Sequence, residues 1–247
     1  MFKTVRYSKV SQGIVEQIRT AILDGKLKAG DRLPPERQLM EQFGVSKATL
    51  REAVRALETL GFIEVHKGAG GGPFVVEVDM RTAQNGLRNF LHFKDVSIED
   101  LTEVRSILEP YIAQRATNRI SREELGELEK NVVETEKELS ALGTFSYDYE
   151  IEFHRTLAAM TGNPILLLMI NFIEDFLKDL KEILKPGQDF SARVLESHKK
   201  ICEAISRGDT IAAAQEMSQH VKDVGNDLIA IRCERESGQQ STTGHRR

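Results

Sequence analysis

The sequence predicts a mainly α chain in two parts: a small N-terminal domain finished by a β-hairpin, and a larger all-helical C-terminal domain. Three observations predict it. Residues 33–74 read in order as helix, tight turn, helix and glycine-tipped hairpin. From about Thr82 to Arg235 apolar residues recur at helical spacing between repeated start and stop signals, with no alternating strand pattern. At 247 residues and 40% hydrophobic content, the chain is long enough to bury two cores.

The first helix is set by Val10, Ile14, Val15, Ile18, Ala21 and Ile22, at three- and four-residue steps. DGKLKAGDRLP breaks it with two glycines and leads to Pro34 and Pro35. Pro35 suits a first helical position, where its missing N–H has no partner to lose, and Glu36 follows at the positive end of the helix dipole. Leu39, Met40 and Phe43 give that second helix one apolar face, and Gly44 supplies the permissive backbone of the turn. Ser46 caps a third helix that turns Leu50, Ala53, Val54 and Leu57 inward, leaving Lys47, Thr49, Arg51 and Arg55 free to face elsewhere. Gly61 ends it. Phe62–Val65 and Phe74–Val76 then read as short strands joined by KGAGGG, with Pro73 compatible only with a sheet edge. This order is that of a winged helix-turn-helix, which lays its second motif helix in a DNA major groove.

Charge agrees with that division. The net charge of −4 hides an asymmetry: residues 1–76 carry 12 Lys and Arg against 8 Asp and Glu, and the remainder 22 against 30. A basic front on an acidic body suits a protein whose N-terminal part meets phosphate. Cys202 and Cys233 have no metal-ligand spacing and read as small apolar side chains in a reduced compartment. No signal peptide or membrane span is expected, so a cytoplasmic protein without a membrane partner is anticipated.

In the helical part, Ser97 with Asp100 and Ser121 with Glu124 have capping-box spacing, so each should open a helix. Pro110 falls inside the first of these and is expected to kink it. Gly162-Asn163-Pro164 closes one helix and opens a strongly apolar one. Lys185-Pro186-Gly187 and Gly208-Asp209 mark the next two breaks. The domains expected are 1–77 for the winged part, 78–95 for a linker and connecting helix, and 96–236 for the helical part. ESGQQSTTGHRR, at 237–247, has no apolar content and is expected to be a disordered tail.

Glu150 and His154 are four residues apart in DYEIEFHRTL and share one helix face, as two metal ligands on a helix must. His198 and His220 fall on the last two helices. Each histidine alone reads as an ordinary buried or surface residue; as a set with a carboxylate they form a possible centre for zinc, nickel, manganese or iron.

LPPERQL, VSKATLREAVRALETLGFI and the glycine wing together resemble the DNA-binding domain of the GntR family of bacterial regulators. EVRSILE, EFHRTLAAMTGN, ESHKKICEAISRGD and AAAQEMSQHV resemble the FCD ligand-binding domain of its FadR branch. The resemblance implies that Arg37, Ser46, Lys47, Thr49 and Arg51, with His66, Lys67 and Gly68 of the wing, contact operator double-stranded DNA. Lys47 departs from the more usual arginine and lacks the planar fork that pairs with guanine. It further implies that Glu150, His154, His198 and His220 hold one divalent metal, with zinc expected in the purified protein, and that a small carboxylate effector binds beside it. Glu150 stands where aspartate is usual. Arg105 matches an upstream family arginine and either clamps that carboxylate or pairs with Glu109, four residues on.

The expected function is therefore a homodimeric transcription regulator, a repressor or activator, whose operator affinity answers to an organic acid. A metal-sensing repressor and a metal-dependent hydrolase are the alternatives. Against the hydrolase, no general base or electrophile stands out beyond the ligands.

Overall fold

The computed structural model describes residues 9–68, 70–77, 94 and 96–243, with side chains described no further than Ser237. The chain forms two compact units, residues 1–86 and 87–247. The expected linker, 78–95, lies outside the described residues apart from Lys94.

In the first unit, α1 (Lys9–Leu23), α2 (Glu36–Phe43) and α3 (Lys47–Thr59) precede an antiparallel pair, β1 (Ile63–His66) and β2 (Gly72–Val75). Ile14, Val15, Ile18, Leu33, Leu39, Leu50, Ala53, Leu57, Ile63 and Val75 make one core, so all three helices and the hairpin share a single apolar centre. Gly44 ends α2 at φ 63°, left-handed as the turn requires, and the Ser46 hydroxyl accepts the Thr49 amide at 3.3 Å to cap α3. Pro35 is the residue before the helix rather than its first.

The strands are offset from expectation for an identifiable reason. The Phe62 amide is still given to Leu57 O at the end of α3, so the ladder begins at Ile63, and Gly72 opens β2 opposite His66. Residues 30–33 lie along the other side of β2. Val75 N donates to Asp31 O, Leu33 N to Pro73 O, and Arg32 bridges Phe74.

The second unit is all helix among the described residues: α4 (Ile98–Thr117), α5 (Arg122–Leu142), α6 (Tyr147–Met160), α7 (Pro164–Leu184), α8 (Gln188–Ser206) and α9 (Thr210–Thr243). Both capping boxes form, Ser97 with Asp100 and Ser121 with Glu124. Asn163 caps α7, whose first residue is Pro164. Two expectations meet a different outcome. Helix α4 is assigned as one helix through Pro110, which packs as part of a segment buried on both sides at Glu109 and Ile112. Helix α9 runs on past Glu236 to Thr243, into the polar stretch expected to be unstructured; residues 244–247 lie outside the description.

A core of buried residues, including Ile112, Leu128, Phe153, Leu157, Ile170, Leu177, Ile201, Val221 and Leu228, draws on all six helices. Helix α9 packs chiefly along α4, and Gly225 sits at their closest approach: a Cβ there would meet the Thr102 side chain at 2.6 Å. Among the described residues no helix is long and apolar enough to cross a membrane.

Candidate nucleic-acid interface and histidine centre

The polar side of α3 is exposed, as a helix that reads a groove requires. Lys47, Arg51 and Arg55 are exposed, whereas Leu50, Ala53 and Leu57 are buried beneath them. The surface before α3 is a cleft whose lining includes Arg32, Glu36, Arg51, Arg55, Lys67 and Gly72. Arg37 is 92% exposed and its Nε donates to Glu41 at 3.1 Å, while Lys47 Nζ lies 3.4 Å from Glu36. Ser46 is committed to the cap and also to the Thr49 hydroxyl, at 3.0 Å. His66 stacks on Phe74 with ring centroids 4.7 Å apart, and Gly68 takes φ 98°. Exposed ion pairs of this kind are worth roughly 0–1 kcal/mol and yield easily to a phosphate.

Arg32 is a wing residue that sequence reading missed. Its Nη2 donates to Gly71 O and its guanidinium lies over the Phe74 ring, Cζ 5.8 Å from the centroid. The wing tip is thus tied by backbone and side chain to the segment that enters α2.

The helical unit gathers His154 from α6, His198 from α8 and His220 from α9 into one buried cluster. His154 and His220 bring their Nε2 atoms to 3.3 Å, and the ring centroids of His198 lie 5.2 and 4.8 Å from those two. Phe153 stacks on His198 at 3.9 Å, which fixes that ring's plane. Burial first, then the neighbouring imidazole, holds both His198 and His220 well below the usual histidine range, so both are neutral donors of a lone pair.

His154 Nδ1 lies 2.7 Å from Glu109 Oε2, though off the line of an ideal hydrogen bond. A carboxylate on one ring nitrogen favours a proton there and leaves the other nitrogen's lone pair facing the cluster. Burial opposes the Glu109 charge, but Arg105 and His154 prevail and hold its carboxyl down at about 2.

Arg105 donates from Nε to Glu109 Oε1 and from Nη2 to Oε2 at 3.3 Å, so the pairing with Glu109 left open above is made. The same Nη2 stands 3.4 Å from both His154 Nε2 and Glu174 Oε1, which puts Arg105 at the edge of the cluster as well. Burial disfavours the guanidinium charge, but the carboxylates of Glu109 and Glu174 outweigh it and raise its pKa.

Glu150 is not brought into the three-histidine group. Its Oε1 accepts from Lys181 Nζ at 2.5 Å, both side chains being fully enclosed, and its Oε2 has no partner within the chain. An ammonium on the facing helix, which no spacing argument anticipated, takes up the carboxylate expected beside the histidines. Glu109, Glu174 and Lys181 are the functional candidates that sequence reading passed over. The available signal was two charged residues seven apart on α7, a helix otherwise apolar on that side.

Three neutral imidazoles fit a divalent ion. Two nitrogens bound at about 2.0–2.1 Å and a tetrahedral angle stand about 3.3 Å apart, matching the His154–His220 separation. Partnerless His198 Nε2 and Glu150 Oε2 add buried acceptors nearby. The buried charges among the described residues are two cations, Arg105 and Lys181, against three carboxylates, Glu109, Glu150 and Glu174, a balance that a cation would offset.

Comparison with known proteins decides the family. Residues 10–72 match the model of bacterial regulatory proteins, gntR family, and residues 100–223 match the FCD domain. This chain belongs to the GntR family. An uncharacterized HTH-type transcriptional regulator of Bacillus subtilis, YcbG, is 30% identical over 92% of this chain and 93% of its own length. The Uxu operon regulator of Haemophilus influenzae is 30% identical over 91% of this chain and 82% of that protein. Among solved structures, Streptococcus agalactiae GntR aligns with TM-score 0.67 at 27% identity, covering 87% of this chain and 99% of that one. As a GntR-family protein with an FCD domain, this chain is a DNA-binding transcription regulator and not an enzyme.

Proposed function

We propose that this GntR-family regulator, of the FadR branch, binds operator DNA as a homodimer and is controlled by a small carboxylate held at a divalent metal in its helical unit. The observation that carries the reading is the burial of His154, His198 and His220 around one point. Zinc, nickel, manganese or iron would be held by those three nitrogens and would supply a Lewis-acidic position open to an anion. Arg105, 3.4 Å from His154, gives the anion a second cationic contact, and Glu109 keeps His154 oriented. Glu150 reaches the metal only through the oxygen that Lys181 leaves free.

On the DNA side, Thr49 and Arg51 of α3 contact the major groove with Lys47 and Ser46 at its start, Arg37 approaches from α2, and His66, Lys67 and Gly68 approach from the wing. One such helix covers half an operator, so paired units are needed for ordinary specific affinity. Helix α4 exposes Val104, Ile107 and Tyr111 at three- and four-residue spacing, an apolar stripe suited to a second copy.

The test is fluorescence anisotropy of an operator fragment with metal-loaded protein across a panel of small carboxylic acids. Affinity should change several-fold or more with the right acid, as expected for coupling of about 1–3 kcal/mol. Operator affinity that follows metal dose with no acid would instead make the ion itself the signal. No response to either would refute the reading.

A further inference from the structure

Glu174, on α7, is fully enclosed, and neither of its carboxylate oxygens has a hydrogen-bond partner within the chain. The nearest cation, Arg105 Nη2, is 3.4 Å from Oε1 and not aligned with it, because Arg105 has turned both Nε and Nη2 onto Glu109. A buried acid without donors is costly, and such groups are rare in native cores unless a bound species completes them.

Two kinds of species could do so. A second cation would find ligand atoms of Glu109, His154 and Glu174 within 4.8 Å of one another. It would also meet the Arg105 guanidinium, and would have to take Glu109 from both Arg105 and His154. A hydroxyl donor meets no such opposition. Whether ionised or protonated, a carboxyl keeps an oxygen able to accept it.

We infer that Glu174 accepts a hydrogen bond from a hydroxyl of the bound effector, so that the acid recognised is a hydroxylated carboxylate rather than a plain one. This rests on the preceding reading that a carboxylate sits at the histidine centre beside Arg105. Arg105 Nη2 is equidistant, at 3.4 Å, from His154 Nε2 and Glu174 Oε1. A carboxylate held at that arginine therefore brings a hydroxyl on its adjacent carbon toward Glu174. Sites that spend a buried polar group on a substrate hydroxyl reject the analogue lacking it, because the group is then left unpaired.

The experiment is calorimetric titration of the full-length, zinc-loaded protein with acids that differ only in hydroxylation: glycolate against acetate, lactate against propionate, gluconate against hexanoate. In at least one pair the hydroxylated acid should bind more than about tenfold tighter. Glu174→Met keeps the side-chain length without its oxygens. It should shrink that preference to about threefold or less and leave the plain acid's affinity unchanged. Equal binding within every pair overturns the inference and leaves the carboxylate reading standing. A preference that survives Glu174→Met overturns it too, because the hydroxyl is then read elsewhere, for example by the zinc. Binding of none of these acids overturns both readings together. If Glu174→Met does not fold, a crystal structure of the wild-type protein with its preferred acid decides: a hydroxyl within hydrogen-bond distance of Glu174 supports the inference, and a hydroxyl directed elsewhere overturns it.

Discussion

Lys181 and Glu150, on neighbouring helices α7 and α6, face each other at 2.5 Å with neither side chain reaching solvent. A pair of this kind adds little net stability relative to apolar residues, but removing one partner leaves the other as an uncompensated buried charge. Lys181→Met should therefore cost about 3–5 kcal/mol. Adding Glu150→Gln to it should recover most of that loss. Urea unfolding of the two variants checks this; equal stability of single and double variants would contradict the pairing.

His198→Ala removes one of three imidazoles from the centre while leaving the winged unit untouched. Metal content measured by elemental analysis should fall from about one equivalent to a small fraction, with operator affinity in the absence of acid changed less than about threefold, since the sites are distant and independent. An undiminished metal stoichiometry would show that His198 is not a ligand.

Arg51→Ala should weaken operator binding by about 1–3 kcal/mol if the guanidinium meets a base edge, and should relax sequence preference at one position of the half-site. A uniform loss across sequences, with a shallower salt dependence, would place Arg51 on phosphate instead.

Acid should destabilise the helical unit in two stages. His198 and His220 are held well below the ordinary imidazole value, so as pH falls below about 6.5 the unfolded chain takes up protons that the folded chain refuses. Their penalty is absent above that pH and grows beneath it. Glu109, held at about 2 against 4.5 ordinarily, contributes stability that is lost between those values, in the same direction. Urea midpoints of metal-free protein at pH 7.5, 6.5 and 5.5 should fall in that order, most steeply over the last step.

Gly225→Ala offers a packing test. Alanine improves helix propensity by about 1 kcal/mol. Here its Cβ would strike Thr102 at 2.6 Å, pushing α9 from α4. A net loss of about 1–3 kcal/mol is expected from overpacking. Thr102→Ser, which removes the crowding methyl group, should restore part of it in thermal melts.

Much of this was legible in the sequence because it is local. A glycine after Phe43, serines at 46, 97 and 121, and Asn163-Pro164 each carry their own backbone instruction, and the elements begin and end beside them. The histidines were legible for a related reason: three positions at recurring places on three helices can be recognised without coordinates. What was not legible depends on which helix faces which. Glu150 could be placed on the same face as His154, but nothing in one helix's spacing reveals that Lys181 from another would reach it. Glu174 read as an interruption in an apolar helix until Arg105 appeared beside it. Pro110 looked like a kink from local rules alone, whereas tertiary packing carries α4 through it.

The bond from Arg32 to Gly71 has a practical consequence for anyone building chimeric regulators. A wing grafted from a relative onto this scaffold cannot be cut out as the hairpin alone, because its tip is anchored by a residue outside it. Transplants that include the stretch from Gly30 onward should keep the loop's shape, and shorter ones should lose it.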